Sequence, residues 1–578
     1  MNPINTVARG KFNLSAVYTN SKKDGICKRH RFRISSSGLM EKENLSLSIV
    51  WFRVGDLRVH DHEPFHQGCS SDSHVLPFFY AKRQQECDQD VLSCSESRKE
   101  AIEKSLKCLA SKIESYGASL VLLQSSEEMD EFRKRLVEQI DSVSYTQVRL
   151  HYYASINRFI DPHQYNEEQT VLKILDGLVD KVQISWGRTL LDPSCICSSD
   201  RSGGYTRSCV THESDKGYIS EIDSNSCFIT EGFIKSMLQL KTMTAFRADI
   251  ANRTVPVQDP CESPTITAGF PHLFQQQIRS SQDYTYETCS GVDKVDRAAT
   301  EMLHDGFFAD EDESLERLDF ILTSPGFMEG YRESRMLAST GDNSSKLSTA
   351  LSIGSLSPRM IYAKAIASLN AKQPGARSNW IKELHKNGPG EAWLIMHLVI
   401  RDFFVFSSEC HGSDLLAQDG PAKRKMAWKH DEELLKAWVQ GRTGFPFIDA
   451  NMRQLAATGY ISNRGRQNVA SFLAKELSVD WRWGAKHFRS TLVDHDPAIN
   501  LESWAYISGV GCDPRDRKFL SVTQGEKYDP DGTLIARWLP ELAQLSPEYR
   551  HRPWNYLDSE INYPAAIVDP ANQIGRHV

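Results

Sequence analysis

The chain of 578 residues is too long for one ordinary core, so two or three domains are expected. A hydrophobic content of 40% with 10% aromatics fits a globular protein, and a net charge of −7 excludes a wholly basic nucleic-acid binder while leaving room for a local basic groove. The 13 cysteines are odd in number and irregularly spaced, and Cys195-x-Cys197 has no second pair at zinc spacing, so they read as reduced thiols rather than a disulfide framework or a metal site.

Residues 1–43 form a basic segment with Arg9, Lys11, Lys22, Lys23, Lys28, Arg29, Arg31 and Arg33, several serines, and Asp24 as the only acid before Glu41. That composition fits a disordered targeting segment for a plastid or mitochondrion. KRHRFR reads equally as a nuclear signal, and a plain basic tail also fits.

From residue 44 the text changes. NLSLSIVWFR, HVLPFFYA, ASLVLLQ, QVRLHYYAS and VQISWGRTLL are short apolar runs rich in β-formers. Between them RKEAIEKSLKCLASKIESYG places Ile102, Leu106, Leu109 and Ile113 on one helical face and stops at Gly117. The alternation predicts an α/β domain with a doubly wound parallel sheet over 44–192. No G-x-G-x-x-G follows the first strand, so the dinucleotide fingerprint is missing.

Residues 193–294 are rich in Ser, Gly, Asp and Cys and read as a connector with a few short helices. Residues 295–540 read as an all-α domain. FPFIDANMRQLAATG starts on Pro446, ends on Gly459 and buries Ile448, Met452 and Leu455; RQNVASFLAKEL and WRWGAKHFRSTL follow with apolar stripes of their own. WLIMHLVIRDFFVF is broken by His397, Arg401 and Asp402, so it reads as a buried helix with functional polar residues, and no run reaches membrane-spanning length. Residues 541–578 show little pattern and read as a tail.

Two polar clusters interrupt the apolar helices. NRGRQ (Asn463 to Gln467) and DHDPAIN (Asp494 to Asn500) place Arg466, Asp494, Asp496 and Asn500 where apolar residues are expected. A salt-bridged helix junction accounts for Arg466 with Asp494. It does not account for Asp496 and Asn500, which point to a bound polar ligand with hydrogen-bonding edges and a flat apolar body. Upstream, NSSKLS offers hydroxyls, amides and Lys346, a cradle suited to phosphate or simply a solvated turn.

The stretches WFRVGDLRVHDH, GYRESR…SSKLS…LSIGSLSPRMIY, TGFPFIDANMRQLAATGYISNRGRQNVASFLAKELSVDWRWG and DHDPAIN…W…GVGCDPRDRKF together resemble the photolyase/cryptochrome family, and Gln467, Trp504–Tyr506 and KYDPDG look most like its DASH-type cryptochromes. The resemblance covers about residues 46–540. It implies a photolyase-like antenna domain followed by an FAD-binding helical domain. It further implies that Tyr331, Ser344, Ser345, Lys346, Leu347 and Ser348 hold the pyrophosphate and ribityl region. Arg401 and Asp402 should lie along the pocket, Asn463 and Arg466 should face the flavin, and Arg466 should pair with Asp494. Asp496 should touch the ring or ribityl edge, with Asn500 near flavin N5. Trp504, Trp481 and Trp428 match the family's electron chain from flavin to surface, although core packing is the ordinary use of tryptophan.

The chain also departs from the pattern. Repair-competent relatives carry Glu-x-x-Trp before Arg-Asp, whereas His397 and Ile400 stand here. Isoleucine cannot stack on a flipped base, and histidine carries no fixed negative charge. Ser348-Thr349-Ala350-Leu351 replaces Ser-Pro-Trp-Leu, and WFRVGDLR carries one residue more than WFRNDLR. QVRLHYYAS lacks the glutamate that DASH relatives use for folate, so the resemblance allows a folate (methenyltetrahydrofolate) antenna that this strand does not support. The expected function is therefore a blue-light flavoprotein photoreceptor, with His397 as a candidate functional position. The alternative is a light-driven deoxyribodipyrimidine photolyase acting on single-stranded DNA. The expected partners are single-stranded DNA or RNA at a rim of Arg464, Arg515, Arg517 and Lys518, or a signalling protein, with the chain a monomer and no membrane involved.

Overall fold

The computed structural model of the protein describes residues 32–34, 40–42, 45–69, 73–81, 95–155, 157–193, 209–213, 219, 222–224, 227–253, 257–262, 264, 266, 269–271, 273–274, 307–335, 337, 344–372, 388–512, 516–556 and 561–574. The chain divides into residues 1–44 and 45–578. In the first unit Phe32–Ile34 (β1) pairs antiparallel with Met40–Lys42 (β2). The disorder expected for residues 1–43 does not extend to these two strands, and the rest of that segment lies outside the described residues.

The second unit opens on a six-stranded sheet of order β5-β4-β3-β6-β7-β8. Its centre is β3 (Ser46–Phe52), buried at every residue and flanked by β4 (Ser73–Tyr80) and β6 (Val148–Tyr153). A strand covered on both faces needs no polar alternation, which is why SLSIVWF reads as a continuous run. Beyond these lie β5 (Val121–Leu123) and β7 (Lys181–Ser185), all parallel as expected for 44–192. The crossover helices include α1 (Glu63–Gly68), α2 (Glu96–Ser115), α3 (Ser126–Val143) and α4 (Pro162–Leu175). Helix α2 is capped by the Ser95 hydroxyl, which accepts from the Arg98 N–H, and Gly117 turns away with φ +82°.

The segment 193–294 holds more than short helices. Cys209–Glu213 (β8) adds an antiparallel edge to β7, and α5 (Glu231–Leu240) and α6 (Met243–Arg253) follow. CVTHE has no apolar run, so pairing with β7 rather than its own pattern makes it a strand.

The helical part comprises α7 (Glu311–Thr323), α8 (Phe327–Ser334), α9 (Ser348–Ile353), α10 (Pro358–Lys372), α11 (Gly390–His411), α12 (Glu432–Val439), α13 (Pro446–Thr458) and α14 (Asn463–Ser471). The chain then takes a π-helical turn over Phe472–Glu476 and continues as α15 (Trp481–Thr491), α16 (Pro497–Ser508), α17 (Ser521–Tyr528), α18 (Thr533–Trp538) and α19 (Pro547–His551). Helix α11 is the spine, packed on α10 and α16, with α15 on the far side of α16. The stretch 541–578, read as a tail, is anchored onto this domain: the Tyr563 hydroxyl donates to Asp449 at 2.6 Å, and Gln573 Oε1 accepts the Ser521 N–H at 3.1 Å. Isolated polar anchors leave no periodicity to read.

The WFRVGDLRVHDH stretch joins the two parts. Glu311 accepts the N–H groups of Val59 and His60 at 2.8 and 3.0 Å, while Arg359 donates to Asp61 at 2.9 Å. Gly354 (φ +85°) lies so close to Gly55 that a Cβ would stand 1.9 Å from its carbonyl carbon. Asp402 belongs to this joint. Its carboxylate oxygens accept the Leu190 and Leu191 N–H groups at 3.1 and 2.7 Å, and it does not line the cavity described next. The expectation that Asp402 flanks a cofactor is therefore corrected. An acid next to Arg401 on a helix points about 100° away from it around the axis, and the buried end of the β7 connection has N–H groups to satisfy.

Candidate functional site

A cavity of about 950 Å³ opens among α8, residues 344–348, α11, α14, residues 494–496 and α16. That is the upper end of the ~300–1,000 Å³ usual for ligand pockets. Its wall includes Tyr331, Ser344, Ser345, Lys346, Leu347, Ser348, Arg401, Asn463, Arg466, Asp494, Asp496, Asn500 and Trp504, so distant stretches of the sequence converge on one space. His397 and Ile400 lie on the same wall.

The 344–348 stretch is pinned from behind by Arg317, which donates to the Ser344 and Ser345 carbonyls at 2.8 and 3.1 Å. It turns through Lys346 (φ 55°) and enters α9, whose first-turn N–H groups have no intrahelical acceptor. Such a corner suits an anion.

Opposite it, Arg466 donates from Nε to the Ile461 carbonyl at 3.0 Å and from Nη2 to Asp494 Oδ2 at 2.8 Å. Burial works against the Asp494 charge, but the Arg466 guanidinium holds its carboxyl below the usual range. Its other oxygen, Oδ1, is buried with no hydrogen-bond partner. Asn500 donates from Nδ2 to the Ala485 carbonyl at 2.9 Å, which leaves the amide oxygen for the cavity. His495 is buried and held neutral, its pKa pushed down to about 3 by desolvation and by Arg98.

Asp496 plays a different part from the expected ring contact. Its Oδ1 caps α16, accepting from Ala498 and Ile499 at 3.1 and 3.3 Å, while Oδ2 accepts from Arg188 and Arg401 at 3.2 and 3.1 Å. Both oxygens are occupied by the protein, so Asp496 shapes the wall and clamps Arg188, after β7, to the helical domain. Arg188 was missed by sequence reasoning. The available signal was its place at the carboxyl end of a parallel strand, where such sheets put their sites. Burial opposes ionisation of Asp496, yet Arg188 and Arg401 bring its pKa down to about 2. The stability it contributes is therefore present above the ordinary value of 3.8 and lost as pH falls through about 2. Acid unfolding followed by circular dichroism between these limits is expected to flatten in Asp496→Asn; an unaltered slope removes this assignment.

Trp504 forms part of the cavity wall, and its ring lies on α15 at Gly484, where a Cβ would come within 2.2 Å of its Cη2 atom. One turn back on α15 is Trp481, fully buried, and beyond it half-buried Trp428. The indole N–H groups of Trp481 and Trp428 both donate to the Gln418 carbonyl, each at 3.2 Å. Of the three expected tryptophans, Trp504 and Trp481 are thus buried and Trp428 is half-buried. A fourth, Trp438, was not anticipated. It is fully buried and meets Trp504 edge-on, with ring centroids 6.1 Å apart. Tyr460, half-buried with its ring 5.4 Å from the Arg466 guanidinium, was also missed. Of the expected basic rim, Arg464 and Arg517 border the cavity, Lys518 pairs with Glu476 at 2.7 Å, and Arg515 lies outside the described residues.

Two sequence profiles match this chain, one described as DNA photolyase over residues 48–208 and one as FAD binding domain of DNA photolyase over 393–577. A cryptochrome DASH of Synechocystis sp. is 30% identical over 533 residues, covering 90% of this chain and 95% of its own length. The chain belongs to the photolyase/cryptochrome family. A cryptochrome DASH of Danio rerio is 29% identical, covering 92% of each chain. One from Solanum lycopersicum, named chloroplastic/mitochondrial, is 28% identical over 93% of this chain and 84% of its own. The crystal structure of the Synechocystis sp. PCC6803 cryptochrome superposes with a TM-score of 0.70 at 26% identity, covering 91% and 97% of the two chains.

FAD is the cofactor of this photolyase-like domain, and the wall fits it. The anion-accepting corner at 344–348 would hold the pyrophosphate. The unpartnered Asp494 oxygen and the free Asn500 carbonyl would meet polar edges of the ring system. His397, on the same wall, has an imidazole whose pKa burial and Arg335 push down to about 3, so it is neutral. Its ring lies 6.1 Å from that of Trp393.

Proposed function

We propose that this flavoprotein is a blue-light photoreceptor in which Trp428, Trp481 and Trp504 pass an electron inward to the cavity, and that it does not repair pyrimidine dimers. The bound FAD supplies light absorption and electron acceptance. The chain supplies the rest. Arg466 and Asp494 fix the polar wall, Asn500 presents a hydrogen-bond acceptor, and the indoles lead from a buried ring to half-buried Trp428. The observation that carries this reading is the convergence of Trp481 and Trp428 on the single carbonyl of Gln418, behind a Trp504 that forms the cavity wall.

Neutral His397 and aliphatic Ile400 argue against repair. A stacked aromatic is worth roughly 1–3 kcal/mol per base, and Ile400 supplies none of it. The output would then run through a signalling protein that reads the redox-dependent state of a monomer. Single-stranded DNA or RNA at Arg464 and Arg517 is the second partner class. The basic residues 1–43, and plant relatives named chloroplastic/mitochondrial, favour a plastid or mitochondrion over the nucleus. Under blue light, turnover of a thymine-dimer oligonucleotide is expected to stay at the dark background. Robust turnover overturns the reading.

A further inference from the structure

At the carboxyl end of α11 a second cluster lies outside the flavin cavity. His411 ends α11, Glu502 comes from α16, and Cys512 lies just beyond it. Each offers one ligand atom, and these atoms all lie within 4.8 Å of one another. His411 Nδ1 stands 3.3 Å from Glu502 Oε1 and 3.1 Å from Ser407 Oγ, which is 3.7 Å from Cys512 Sγ. The Glu502 side chain is 1% exposed, and its second oxygen, Oε2, has no hydrogen-bond partner. A buried carboxylate oxygen without a donor is costly unless a cation meets it. A plain His–Glu ion pair satisfies one oxygen and explains neither the other nor the thiol.

We propose that His411, Glu502 and Cys512 bind one divalent ion of the zinc class. Imidazole, carboxylate and thiolate together suit zinc, whereas calcium and magnesium take all-oxygen sets. Zinc bonds of ~2.0–2.3 Å place tetrahedral ligands roughly 3.3–3.8 Å apart, so a small side-chain closure completes the geometry. The His411 side chain is 17% exposed and Cys512 half-buried, which gives the ion a path from solvent and leaves a fourth position for water. Ser407 Oγ reaches both the imidazole Nδ1 and the thiol, contacts that the ion would replace. The ion would bridge α11 and α16, two helices that wall the flavin cavity.

The test uses the full-length flavin-loaded protein, stripped with a chelator in the dark and titrated with Co²⁺. Saturation at one equivalent is expected, with a thiolate-to-cobalt charge-transfer band that Zn²⁺ bleaches. Cys512→Ser is expected to lose the band and Glu502→Gln to keep it, each binding Co²⁺ at least ~10-fold more weakly. An unchanged flavin spectrum reports that each variant is folded. Absence of saturable binding, or a band that survives in Cys512→Ser, overturns the proposal. Should Cys512→Ser lose its flavin, alkylation of Cys512 in the unaltered chain decides: protection by one equivalent of Zn²⁺ supports the site, and equal labelling with and without Zn²⁺ overturns it.

Discussion

Asp494→Ala is expected to destabilise the protein by about 1–3 kcal/mol and to release FAD on purification, because it takes the charged hydrogen-bond partner from the half-buried Arg466 guanidinium. The Ile461 carbonyl and the Tyr460 ring hold Arg466 from behind, while 25% of its side chain stays exposed. The loss is a large share of the ~5–15 kcal/mol that stabilises a typical domain. Asp494→Asn keeps the shape and a hydrogen-bond acceptor, and should lose less. Removing both charges in Asp494→Leu with Arg466→Met should cost less than the sum of the single changes, since no orphaned charge remains. Thermal unfolding of each variant, with flavin release followed by fluorescence, checks the order. A melting temperature for Asp494→Ala equal to that of the unaltered chain would remove the pair from any role in holding the pocket.

Much of this architecture was legible from residues alone. The apolar runs became β3, β4 and β6 because strands covered on both faces carry few polar marks. The helices around Pro446 and Trp481 followed their apolar stripes. β8 was not legible, since an edge strand is defined by its neighbour rather than by its own residues. The site divided along the same line. Residues inside dense polar stretches, such as Arg466, Asp494 and Asn500, announced themselves by being polar among buried helices. Arg188 and Trp438 did not, because each acts through a partner more than fifty positions away, Asp496 and Trp504 respectively. Asp402 misled for the opposite reason: adjacency to Arg401 in sequence says nothing of which side of a helix it occupies. Asp496 was correctly placed at the cavity, but the donors that occupy it come from Arg188, Arg401 and its own helix, which only the folded chain brings together.

Trp504→Phe is expected to leave FAD bound and the fold intact while light-driven reduction of the purified protein falls at least tenfold, the consequence of about 1.4 kcal/mol or more added to the barrier for the inward electron step. Phenylalanine fits the same slot over Gly484 and keeps aromatic contact with Phe488, whose ring centroid is 5.1 Å from that of Trp504, so a packing role alone predicts little change. A benzene ring is much harder to oxidise than an indole, so a transfer role predicts a large one. Trp481→Phe and Trp428→Phe each also remove a hydrogen bond to Gln418, so their melting temperatures must be compared before their rates are. Trp438 supplies the discriminating control. It touches Trp504 but is fully buried, and its N–H is taken by the Val469 carbonyl at 2.9 Å, so it has no route to solvent through Gln418. Reduction should therefore survive Trp438→Phe and fail in Trp481→Phe. If the triple variant at Trp428, Trp481 and Trp504 photoreduces as fast as the unaltered chain, the three indoles are core packing and nothing more.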